Sequence, residues 1–228
     1  MVVMPRKYQV DRKKVGIQGV TFYRFEQPGE SKNAELILEK KCRNGISMFS
    51  MPLHCDGLIM IPCTTGRIFV CNPSTSEFVE LPRGSRNVVG DHRAAFGFDP
   101  RSGKYKVARH FFRSYIEKPR EDGHEVLTLG DGGEAWKWMA TMDPPYAINP
   151  RPPICLPGFF YWSAFHPSTD HGDTTKHVIL RFNLHDEMFT VHPNPPCRDF
   201  VSKNDRLCEL DGKLCCLHVG CDHLAGRG

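Results

Sequence analysis

This chain of 228 residues has no run near the roughly 18 uncharged apolar residues needed to cross a bilayer, which excludes a membrane-spanning helix. Met1 to Tyr8 has only a short apolar beginning before Pro5, Arg6 and Lys7, which is not the pattern of a secretory signal. Glycosylation sequons are missing too, because Asn72-Pro73-Ser74 is disqualified by its proline. Gly-x-Ser-x-Gly, the P-loop, His-Glu-x-x-His and Gly-x-Gly-x-x-Gly are all absent, so no nucleophile elbow, phosphate cradle or zinc-protease helix is encoded. Long helices are disfavoured as well. With 20 Gly and 18 Pro, one residue in six interrupts regular structure.

What remains is the composition of a folded protein, with 40% hydrophobic and 25% charged residues. The net charge of +4 is unevenly spread. Residues 1–43 hold 10 Lys/Arg against 5 Asp/Glu, or +5, which leaves the other residues at −1. The basic run Arg6, Lys7, Arg12, Lys13 and Lys14 reads as a solvated tail on a neutral body, and nucleic acid is not an expected partner. Ten cysteines without a signal sequence imply reduced thiols and a cytoplasmic or nuclear location. Cys63, Cys71, Cys155 and Cys215 sit in apolar runs, where a thiol acts as a small hydrophobe.

The turn-bounded runs rich in β-branched, aromatic and aliphatic residues predict strands at Leu58–Ile61, Arg67–Cys71, Glu77–Leu81, Ala94–Phe98, Tyr105–Phe112, Glu125–Leu129, Ala135–Met139, Phe159–Phe165, His177–Phe182, Met188–His192 and Lys213–Val219. Glu35–Lys41 fits a helical turn or a strand equally. Arg83–Arg93 and Asp143–Pro153 read as loops, the second too proline-rich for any ladder. The class is all-β.

Repetition refines it. Asn72, Phe78 and Pro82 follow the pattern Asn-x5-Phe-x3-Pro, which returns at Asn183, Phe189 and Pro193, with a weaker echo at Asp99 and Tyr105. Asn or Asp opens a turn and the aromatic packs inward across the strand pair. A glycine before an apolar strand recurs at Gly57, Gly158 and Gly212. The intervals point to a period of about 50 residues, the size of a kelch-like propeller blade.

Leu53-His54-Cys55-Asp56-Gly57-Leu58-Ile59, Val70-Cys71-Asn72-Pro73-Ser74-Thr75, Ala95-Phe96-Gly97-Phe98-Asp99-Pro100 and Gly103-Lys104-Tyr105-Lys106-Val107 resemble the opening of the plant F-box-associated domain. Glu125 to Leu129 leading to Trp136, Phe160-Tyr161-Trp162, Ile179 to Asn183 and Leu207 to Leu214 continue in the family's order. The resemblance implies an antiparallel kelch-like β-propeller that recognises a target protein, while an N-terminal F-box docks on a Skp–cullin ubiquitin ligase. Residues 1–49 read as a basic segment with a first strand and no F-box, 50–221 as the propeller and 222–228 as a tail. The family would continue with further strands, so the expectation is an incomplete propeller that binds a target and meets Skp–cullin subunits only if an F-box is supplied.

The expected site is a loop surface. Arg113–His124 carries Arg113, Tyr115, Lys118 and Arg120, and Ser163–Lys176 carries His166, His171, Asp170 and Asp173. Tyr and Arg are favoured at interfaces, so Arg113 and Tyr115 lead, with Arg120, His166 and His171 behind them. Trp136, Trp138 and Trp162 are assigned to blade packing. No catalytic residue, cofactor or metal is expected. Cys208, Cys215, Cys216, His218, Cys221 and His223 crowd the C-terminus, but they lack the paired spacing of a zinc knuckle. A propeller-scaffold enzyme, a glycan-binding module and a non-functional fragment are the competing readings.

Overall fold

The computed structural model describes residues 2–3, 17–25, 34–46, 52–63, 66–88, 93–114, 122–130, 137–149, 151–166, 176–193 and 206–217. No helix occurs among them, and every strand pair is antiparallel. The first sheet orders β1 (Val2–Val3), β2 (Ile17–Phe25) and β3 (Ala34–Ile46). Glu35–Lys41 thus falls in a strand. The second sheet is a meander of β4 (Leu53–Cys55), β5 (Leu58–Pro62), β6 (Ile68–Asn72) and β7 (Glu77–Glu80). The third repeats it with β8 (Arg93–Asp99), β9 (Lys104–Phe112), β10 (Asp122–Leu129) and β11 (Met139–Ala140). In the fourth, β12 (Ala147–Ile148) and β13 (Ile154–Leu156) share one edge of β14 (Phe159–His166), followed by β15 (Lys176–Asn183) and β16 (Met188–Pro193). The hairpin β17 (Arg206–Leu210) and β18 (Lys213–Leu217) is the fifth.

The innermost strands touch in succession, β4 against β8, β8 against β13 and β13 against β17. This is the radial order of a β-propeller. The expected period holds on average: these four strands begin at residues 53, 93, 154 and 206, which are 40, 61 and 52 residues apart. One expectation is corrected. The segment 143–153 does carry a ladder, because Ala147 and Ile148 pair with Phe165 and Ala164. Pro152 and Pro153 fall between β12 and β13, so their missing N–H groups cost the ladder nothing.

Sheets stack because consecutive side chains of a strand point to opposite faces and both faces are covered. Phe69 and Cys71 of β6 join Val20 and Phe22 of β2, while Ile68 and Val70 face the third sheet with Phe96, Val107 and Leu127. Ala95, Ala108 and Val126 of the third sheet then meet Phe160, Trp162, Leu180, Phe182 and Phe189 of the fourth. Each such large side chain contributes about 1.5–3 kcal/mol on burial. Double coverage explains why these strands read as continuous apolar runs rather than alternating ones.

The two sequence repeats are two turn types. Asp56-Gly57 and Asp211-Gly212 hold both residues at positive φ (48° and 81°; 52° and 71°), which is a type I′ hairpin turn, whereas in Pro157-Gly158 only the glycine does (81°). The Asn repeat is an Asx turn. Asn72, Asp99 and Asn183 each accept a hydrogen bond from the backbone N–H two residues on (3.0, 3.0 and 2.9 Å), and Ser76, Gly103 and Glu187 follow at positive φ. Phe78, Tyr105 and Phe189 then stand opposite Cys71, Phe98 and Phe182. The Asp99 echo is the same turn placed between the first and second strands of its sheet, whereas the other two join third and fourth strands.

Candidate functional site

The connections sort the second to fourth sheets into two ends. At one end lie five turns of two to four residues, 56–57, 73–76, 100–103, 157–158 and 184–187, and β10 also ends there, with nine residues between it and β11. They are tied together: Tyr105 Oη donates to Asp56 (3.5 Å), Gly158 N to Phe98 O (2.9 Å), and buried Lys106 Nζ to Leu184 O (2.6 Å) and Glu187 Oε1 (2.7 Å). At the other end the strands are joined by 63–67, 81–92, 113–121, 141–146 and 167–175, most of them longer, of which 64–65, 89–92, 115–121 and 167–175 lie outside the described residues. Long loops on a rigid scaffold are where recognition residues are usually carried.

The crossover from the second sheet to the third is clamped by a buried ion pair. Arg109 Nη2 lies 2.8 Å from Glu125 Oε1, and the two side chains are 2% and 4% exposed. Glu125 accepts from Ser85 N (3.0 Å) and Ser85 Oγ (2.7 Å), Arg109 donates to Ser85 O, and Trp138 Nε1 donates to Pro82 O (2.7 Å). Burial pulls the Arg109 pKa down, and Glu125 opposes this. The Arg109 guanidinium also covers the rings of Phe111 and Trp138 at 5.5 and 5.6 Å. Gly84 has no room for a side chain, since a Cβ there meets Glu125 Oε1 and sits 2.9 Å from Arg109 Cζ. Gly84→Ala is expected to destabilise the fold by about 1–3 kcal/mol, read as a lower urea midpoint at unchanged slope.

The crossover from the third sheet to the fourth lies over a polar row between those sheets. Arg93, His110 and His124 are in register across β8, β9 and β10, and all are buried. Arg93 donates to Ile148 O, His110 Nε2 lies 3.1 Å from Asp122 Oδ2, and His124 Nδ1 shares a 2.6 Å hydrogen bond with Thr141 Oγ1. Burial, aided by His110 and opposed by Asp143, pushes the His124 pKa down to about 3. The ring is therefore neutral, set among Trp162, Phe182 and Phe189 with centroids at 5.7, 4.7 and 4.9 Å. Thr141 opens the crossover and Ile148 follows it, so the bonds from His124 and Arg93 fix its two ends.

Arg113 opens the segment between β9 and β10. Its guanidinium makes a two-pronged pair with Asp143 (2.9 and 3.1 Å), donates to Asp122 O (2.9 Å) and covers the Phe111 ring at 5.5 Å. It is nevertheless 42% exposed. Met142, next in sequence to Asp143, is 45% exposed. His166 ends β14 opposite Lys176 at the same end of the sheets. Tyr115, Lys118, Arg120, His171, Asp170, Asp173 and Trp136 lie outside the described residues. Trp162 is fully buried. Cys208 and Cys215 face each other across β17 and β18, and Cys216 points to the opposite face; His218, Cys221 and His223 lie outside the described residues. Among the described residues no three His, Cys, Asp or Glu side chains are placed to hold a metal ion.

The sequence profile of the F-box associated beta propeller domain matches residues 8–225. The chain belongs to this family. Relatives of the F-box-associated propeller include three Arabidopsis thaliana proteins. F-box protein At3g49450 is 29% identical over 128 residues, covering 56% of this chain and 30% of that protein. F-box/LRR-repeat protein At2g43260 is 29% identical over 176 residues (71% and 39%), and putative F-box protein At1g26510 is 37% identical over 166 residues (71% and 40%). The chain thus spans 30–40% of the length of these relatives. Among solved structures, the N-terminal domain of Nup159 aligns with 86% of this F-box-associated propeller and 49% of its own chain, at TM-score 0.42 and 8% identity.

Proposed function

We propose that this chain is a non-catalytic protein-binding module, the target-recognition part of an F-box-type protein acting in the cytoplasm or nucleus. Its long-connection end holds the target. Joined to an F-box it presents that target to a Skp–cullin ubiquitin ligase; without one it binds the target and leaves it intact. The observation that carries this reading is the family match over residues 8–225 together with F-box proteins as relatives. The clamped crossovers add physical support, because loops ordered before binding lose less conformational entropy on association. Arg113, Tyr115, Arg120, His166 and His171 are the proposed contact residues.

The test is affinity purification of the tagged chain from proteasome-inhibited plant cells, beside a double variant Arg113→Ala, Tyr115→Ala. The expected result is a reproducible protein partner that the variant loses. The variant should keep a melting temperature close to wild type, since exposed ion pairs like Arg113–Asp143 contribute about 0–1 kcal/mol. Equal capture by both proteins would move the contact away from this end. Recovery of chaperones alone would sink the reading.

A further inference from the structure

Most described cysteines face non-cysteine residues across their ladders: Cys55 opposes Leu58, Cys71 opposes Ile59 and Phe78, Cys155 opposes Phe160, and Cys216 opposes Leu207. Cys208 and Cys215 are different. They are directly opposed on β17 and β18, and both are free and half-buried. Because partners in an antiparallel pair project to the same face, their thiols share one side of the hairpin.

The turn fixes the geometry further. Asp211-Gly212 is a two-residue connection, so Leu210 and Lys213 form a hydrogen-bonded pair. Pair types alternate along the ladder, which makes Cys208 and Cys215 a hydrogen-bonded pair as well, with Cα atoms about 5.5 Å apart. That separation lies inside the roughly 4.4–6.8 Å range that a disulfide spans. The Cβ atoms of a hydrogen-bonded pair stand farther apart than in the alternate pair type, so a bond here draws the strands together and is strained. Strain makes a disulfide easier to reduce.

We propose that Cys208 and Cys215 are a reversible modification site, a dithiol that exchanges with a low-molecular-weight disulfide such as glutathione disulfide. The thiolate of one cysteine attacks a glutathione sulfur, the glutathione S–S bond breaks, and a mixed disulfide forms as one glutathione thiolate leaves. The second cysteine's thiolate then attacks the protein-bound sulfur and expels the second glutathione. The protein gives up two protons and two electrons, and glutathione disulfide is reduced to two glutathione molecules. The product staples the fifth sheet, which lies against β13, into a covalent loop. The inference is independent of the target-binding reading.

The experiment uses the full chain. It is equilibrated with glutathione and glutathione disulfide at graded ratios, its free thiols are alkylated under denaturing conditions, and the tryptic peptides are weighed. Cleavage after Lys213 separates the two thiols, so the bond appears as peptide 207–213 joined to peptide 214–227 and lighter by two hydrogen atoms. The link should form in wild type and in Cys216→Ser, vanish in Cys208→Ser and Cys215→Ser, and reverse with excess reduced glutathione. Three outcomes overturn the proposal: Cys208 alkylated at every ratio, Cys208 carrying glutathione alone, or a link whose partner is Cys216 or Cys221. Fragment spectra of the linked wild-type peptides locate the partner thiol among Cys215, Cys216 and Cys221, so a poorly folding variant does not blunt the test.

Discussion

Replacing Glu125 by alanine lowers the unfolding free energy by about 3–5 kcal/mol, the usual loss when one partner of a buried ion pair is removed. Arg109 is left 2% exposed with its charge uncompensated, and Ser85 N and Oγ lose their acceptor. For a chain of this size the melting temperature falls by roughly 10 °C. The physical origin is separable. If the loss is the stranded Arg109 charge, the double replacement Arg109→Met, Glu125→Leu returns to within about 1–2 kcal/mol of wild type, because apolar residues of similar volume substitute well for buried ion pairs. If the double replacement stays as unstable as Glu125→Ala, the clamp acts through the crossover, and the anchoring of residues 82–85 is the larger contribution. Urea denaturation of the three proteins decides between these outcomes.

The second large effect is acid lability. Burial holds the His124 pKa at about 3 against an ordinary value of 6.5. Between those values the unfolded chain binds the proton and the folded chain does not, so stability falls as pH falls through this window. The contribution is fully present above about pH 6.5, and at 1.36 kcal/mol per pH unit about 3 kcal/mol of it is gone by pH 4. Below the ordinary carboxylate range Asp99 acts in the same direction. Burial works against its charged form, yet hydrogen bonds from Ser102, Arg101 N and His185 hold its pKa low. The check is the urea midpoint at pH 7 and pH 4.5 for wild type and His124→Leu. The variant should lose most of the pH dependence across this interval, and an unchanged slope would assign it to other groups.

Much of the architecture was legible because the interior strands are apolar on both faces. Phe159–Phe165 and His177–Phe182 stand in the structure with one added residue at each outer end or less. The Asn and Gly repeats were visible because their turns require particular backbones, at Asn72 and Gly57 for instance. The first sheet was harder to read. In Ala34–Ile46 the residues Glu35, Glu39, Lys40 and Lys41 suit an exposed strand and a helix equally, and only pairing with β2 decides. The ladder at Ala147–Ile148 was hidden by neighbouring prolines that local propensity weighs heavily.

At the candidate site, composition singled out Arg113 but not its bond to Asp143, 30 residues away. The internal polar groups had a signal that went unread. Arg109 and His110 interrupt Val107-Ala108 and Phe111-Phe112 on adjacent positions, so one polar group is delivered into each of two neighbouring cores. Polar residues inside a doubly covered strand need partners, and here those partners come from the adjacent strand, with Ser85 of the crossover added for Arg109. Glu125 and Asp122 answer them from β10.

The separation of short turns from long connections divides the freedom to mutate between two poles. At the first pole, left-handed residues and Asx side chains leave little latitude, and an inserted residue there would shift a register on which two cores depend. At the second, outside the clamped positions 82–85 and 141–143, length and composition can drift while the ladders beneath keep their pairing. On the target contact proposed for this end, a lineage of such chains retargets by rewriting 114–121, 144–146 and 167–175 alone, and duplicated copies diverge in what they capture without relearning how to fold.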